Sequence, residues 1–160
     1  MNEFNEFAKR LNDEHAKKSS EHAAEEKKAR EEREALNRAG QAVLLTQVVP
    51  LLEEASQACR AQGLRTEMSN NWEHGLLSKP ALSFQVFGQR KRPHDDSLYE
   101  VYGHKITVSH DGGDMKVRVS RSALHSKENQ GFEGEGLEGT KEAVRMAIAS
   151  LYSELDPARG

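Results

Sequence analysis

The sequence predicts an α+β fold: a two-layer sandwich whose antiparallel sheet of three to four strands carries two helices on one face, preceded by a long charged N-terminal helix. Three observations predict it. Residues 2–39 interleave Glu with Lys and Arg on an Ala background, with no proline, and no glycine before Gly40. From Gln41 the chain turns apolar at Ala42, Val43, Leu44 and Leu45, then strand-like. A closing segment, Thr140–Leu155, repeats Ala143, Val144, Ala147, Ile148, Leu151, Tyr152 and Leu155 at helical spacing. The expected organisation is therefore a helical arm, 1–40, and an α+β domain, 41–160.

The arm is built from good helix formers. Acids precede bases by four residues at Glu6 and Arg10, Asp13 and Lys17, Glu14 and Lys18, Glu26 and Arg30, and Glu34 and Arg38. Each such pair stabilises an isolated helix by roughly 0.2–0.5 kcal/mol. Phe4, Phe7 and Leu11 begin a heptad, but Glu14, Lys18, Glu21, Glu25, Lys28 and Glu32 occupy the seam that follows. A zipper needs three or four apolar heptads, so these three side chains read as a sticky tip on a solvated helix. His15 and His22 lie two turns apart, about 10.5 Å, which is too far to share a metal.

The domain opens with an apolar stripe, Leu44, Val48, Leu51, Leu52, Ala55, Ala58 and Cys59. Pro50 lacks an N–H and its ring crowds the carbonyl four residues back, so the expectation is a kinked helix fused to the arm across Gly40. Gly63 is placed to stop it. Strands are expected at Leu64–Ser69, at Ala81–Gly88, at Leu98–Ser109 with a bulge at Gly103, and at Met115–Ser120. His110-Asp111-Gly112-Gly113-Asp114 reads as a hairpin turn. Residues 126–139, with four glycines, read as a mobile loop. Thr140 reads as the cap of the last helix, and Pro157 marks its end.

The order helix, strands, helix over 41–155 is similar to that of the double-stranded RNA-binding domain. That family opens its last helix with a lysine-rich cluster; here Thr140-Lys141-Glu142-Ala143 offers one lysine beside an acid. Element order alone assigns no family.

Composition narrows the function. Net charge is −3, with 9 basic and 10 acidic side chains in residues 1–40, which disfavours a globally basic nucleic-acid binder. The single cysteine, Cys59, can form no internal disulfide and points to a reducing compartment, the cytoplasm. The N-terminal residues lack the basic start and apolar run of a secretory signal. Gly136-Leu-Glu-Gly139-Thr140-Lys141 departs from a phosphate-binding loop in spacing and order. Asp111 and Asp114 fit a turn rather than a calcium loop. His94-Asp95-Asp96, His104 and His110 show no orienting partner at a spacing that catalysis would use. No cofactor or metal signature is present.

The expected function is a non-catalytic interaction or adaptor protein that docks on a protein partner, or on a second copy as a homo-oligomer, through Phe4, Phe7 and Leu11. The alternative is nucleic-acid binding through Arg90, Lys91, Arg92, Lys116 and Arg118, with Tyr102 and His104 as stacking groups and Arg121 nearby. A small enzyme with a site beside the glycine-rich segment is the remote third class.

Overall fold

In a computed structural model of the chain, residues 2–73, 78–120 and 132–157 are described. The element order is α1 (Glu3–Val43), a π-helical turn (Leu44–Val48), α2 (Val49–Ala61), β1 (Arg65–Asn70), β2 (Ala81–Lys91), β3 (Leu98–Tyr102), β4 (Lys105–His110), β5 (Met115–Ser120), β6 (Glu133–Glu135) and α3 (Gly136–Leu155). The class is α+β, as the sequence implies. The chain divides into two units, residues 1–35 and residues 36–160.

Several details differ from the sequence expectation. Among the described residues the sheet has six strands rather than three to four. One extra strand arises because 98–109 breaks into β3 and β4. The other is β6, inside the expected loop, where Glu133–Glu135 pairs with Lys116–Arg118. Of that loop, residues 126–131 lie outside the described residues, as does Arg121. Helix α3 also begins four residues before Thr140. Thr140 is therefore not its cap: the side chain is fully buried and its hydroxyl donates to Gly136 O at 2.9 Å.

The helix runs straight through Gly40, and the disturbance at Pro50 takes a specific form. The Val49 N–H reaches back to Leu44 O, one residue further than in an α-helix. Pro50 then sits in the first turn of α2, the part of a helix that best tolerates a residue without an N–H. The wider turn relieves the crowding of its ring against the preceding carbonyls. It also sends both Leu44 and Val48 into the core, where each is fully buried.

The sheet is antiparallel in the order β1-β2-β4-β5-β6, with β3 pairing the far end of β2. Gly103 marks a real bulge. Phe84 faces Ile106 and Phe87 faces Tyr102, so two residues of β2 oppose three of the partner. That extra residue flips the alternation. Val101 and Ile106 both turn to the helices, although they are five residues apart.

One core unites the layers. Leu82, Phe84 and Val86 of β2, Ile106 and Val108 of β4 and Val117 and Val119 of β5 meet Leu52 and Cys59 of α2 and Ala143, Ala147 and Leu151 of α3. Two glycines allow close approach. A Cβ on Gly40 would lie 2.5 Å from His110 O, so the helix packs its backbone directly on the β4 end. Gly112 adopts φ 96°, which L side chains rarely tolerate, and lies under Leu36.

Candidate interaction surfaces

The arm is capped by Asn2, whose Oδ1 accepts the Phe4 N–H at 2.9 Å. An asparagine at this position satisfies a donor that the helix leaves unpaired. From there Phe4, Phe7 and Leu11 follow one another at helical spacing on one stripe. Their exposures are 78 %, 52 % and 47 %, high for side chains of this size. The Arg10 guanidinium lies 5.4 Å from the Phe7 ring centre and is the local polar cover. Farther along, His22 pairs with Glu26 at 2.9 Å and Lys27 with Glu31 at 4.0 Å, both in solvent.

The basic residues singled out from the sequence separate. Lys116 and Arg118 share the outer face of β5, the face away from the helices. Each meets an acid across the strand: Lys116 faces Glu135, and Arg118 lies 3.8 Å from Glu133. With Lys79, Thr107 and Ser109 they bound a shallow hollow of about 630 Å3. Arg90 instead points to the helix side and donates to Glu154 O of α3 at 3.2 Å. Arg92 lies 5.4 Å from the Tyr99 ring, and Lys91 stands at the end of β2 opposite Leu98. The surface is one of mixed charge. Its acids were missed because Glu133-Gly134-Glu135 carries no strand signal of its own.

Tyr102 lies on the outer face, tilted against Phe87 with ring centres 6.3 Å apart. The His104 N–H donates to Ser150 Oγ at the bulge. His110 is buried, and its Nδ1 accepts the Gly112 N–H at 2.9 Å inside the hairpin turn. Asp111 accepts the N–H groups of Gly113 and Asp114, which holds its carboxyl below the usual range. Asp95 accepts both the Ser97 hydroxyl and its N–H and shifts the same way. These groups build turns.

A cluster that the sequence did not suggest lies at the other end of the outer face. The Arg65 guanidinium stands 4.1 Å over the Phe87 ring. It donates from Nε and Nη2 to both oxygens of Glu100, at 3.0 and 2.6 Å, and from Nη1 to Glu67 at 2.5 Å. Phe87 is thereby buried on a face that is otherwise wet.

Among the described residues no three His, Cys, Asp or Glu side chains are placed to hold a metal ion, and no helix is long and apolar enough to cross a membrane. Comparison with known protein families, curated proteins and solved structures finds no match.

Proposed function

We propose that this chain is a non-catalytic interaction protein that docks, on a partner or on another copy, through the N-terminal helical arm. The observation that carries it is the exposed stripe of Phe4, Phe7 and Leu11 on a helix that is otherwise polar. Amphipathic helices of this kind bind by laying an apolar stripe into a groove. Burying each of the three side chains contributes about 1.5–3 kcal/mol. Association costs several kcal/mol in return, so a single arm binds transiently and gains from pairing or tethering.

The test replaces Phe4, Phe7 and Leu11 with serine and measures mass by light scattering and partner capture by pull-down. Loss of either supports the arm as the docking element. Unchanged mass together with unchanged capture overturns it. The rival, nucleic-acid contact, draws on Lys116 and Arg118 sharing one face with Lys79. A gel shift at low salt that disappears in Lys116→Ala/Arg118→Ala favours that rival instead.

A further inference from the structure

Strand β1 ends the sheet, and nothing among the described residues pairs with its outer edge. Natural sheets guard such edges with charged side chains, lysine above all, with proline or with bulges. Residues 65–70, Arg-Thr-Glu-Met-Ser-Asn, contain no lysine, proline or bulge, and their two charges, Arg65 and Glu67, are paired with each other. The Asn71 N–H donates to Ala81 O, towards β2. By the alternation of an antiparallel ladder, the N–H and C=O of Thr66 and Met68 then point to the open edge. Beside that edge runs a groove of about 690 Å3, bounded by Glu53, Ser56, Gln57 and Arg60 of α2 and by Thr66 and Met68 of β1. Met68 is 42 % exposed in it.

We propose that this edge pairs with the same edge of a second copy, joining two sheets through antiparallel β1 strands related by a two-fold axis. The occupant follows from self-complementarity. A two-fold interface places residue i against j and j against i. With the axis at Thr66, Arg65 of one copy faces Glu67 of the other, twice over. Thr66 meets its own copy, and Leu64 meets Met68, two apolar side chains on the helix side. Moving the axis by one residue sets Glu67 against Glu67, a like-charge contact that costs stability.

Helix α2 independently gives the same axis. Its groove-facing residues Glu53, Ser56, Gln57 and Arg60 lie on one stripe. Facing its own antiparallel copy, that stripe pairs Glu53 with Arg60 in both directions and centres between Ser56 and Gln57. Ser56 touches Thr66 through their hydroxyls. The centre of the helix stripe therefore lies beside the centre of the strand, and one two-fold axis satisfies both. The interface is separate from the arm stripe and uses no residue of it.

The test uses the full chain carrying Phe4→Ser/Phe7→Ser/Leu11→Ser, so that arm contacts do not contribute, and reads mass by sedimentation over a concentration series. The expected result is a species of twice 17.9 kDa. Glu53→Arg alone and Arg60→Glu alone each set like charges across the axis and weaken the dimer about tenfold or more. Together, Glu53→Arg/Arg60→Glu restore it. Met68→Lys, an edge lysine at an exposed position, also disperses it. Circular dichroism melts show that each variant is folded. A monomer at every concentration overturns the proposal. So does a dimer indifferent to the single charge reversals, or one that the double reversal fails to recover.

Discussion

Arg65 on β1 reaches across the intervening strand β2 to take both carboxylate oxygens of Glu100 on β3, with the Phe87 ring beneath its guanidinium. Three strands are tied on their outer side by one side chain. The donated hydrogen bonds favour the ionised carboxylate, so Glu100 sits below the usual range and Arg65 is raised.

The depressed carboxyl gives a pH dependence with a definite sign. A group held below its unfolded value stabilises the fold above the ordinary carboxylate range and loses that effect as pH falls through it. Carbon-13 titration should show Glu100 ionising below ordinary glutamates, and returning to their range in Arg65→Met. Glu100→Gln should lose less stability on acidification than the parent. An unshifted Glu100 in the parent contradicts the geometry.

Two phenylalanines separate arm from core. Phe84 is almost fully buried, and Phe84→Ala should cost about 3–5 kcal/mol in urea unfolding. Phe7 is half exposed, and Phe7→Ala should stay within about 0.5 kcal/mol. A large loss at Phe7 in the monomer would place the arm stripe in a folded interior.

Gly40 reverses an ordinary rule. Glycine to alanine inside a helix usually stabilises by about 1 kcal/mol. Here the new methyl meets His110 O, a backbone atom with no room to yield. Gly40→Ala should lower the melting temperature; a rise would show that α1 does not press on β4.

Cys59 should resist alkylation until the domain unfolds. Burial pushes its thiol up, because the charged form is disfavoured in an apolar setting. Stability should therefore fall as pH rises past the ordinary thiol range, and Cys59→Ala should remove that fall. Rapid labelling under native conditions would contradict the burial.

How much of this is legible in the sequence depends on where each element draws its stability. The α3 stripe and the alternation of β5 are written in their own residues, because both bury one face. The bulge is legible too, since Gly103 coincides with the change of phase. Strand β6 is not. Glu-Gly-Glu has no intrinsic preference for extended structure; its pairing with Lys116–Arg118 is set from outside it, by the ladder to β5 and by Phe132 and Leu137, which flank it and pack on the core. Thr140 misleads as a cap because a threonine near the start of a helix serves equally well inside it, bonded back one turn. The Arg65 cluster draws on β1, β2 and β3, so no local window contains it. The separation of Arg90 from Lys116 and Arg118 arises the same way: which side of the sheet a charge occupies depends on strand parity.

The bulge at Gly103–His104 makes that parity a reading frame. Val101 and Ile106 are five apart, so an unbroken strand of this length would put them on opposite faces, with Val101 in water and the carboxylate of Glu100 in the oily layer, out of reach of Arg65. Removing one residue at the bulge would instead set two against two and keep both segments on their present faces. The spare residue is thus a splice that lets two segments of opposite phase share one sheet, and its loss is better borne than its straightening.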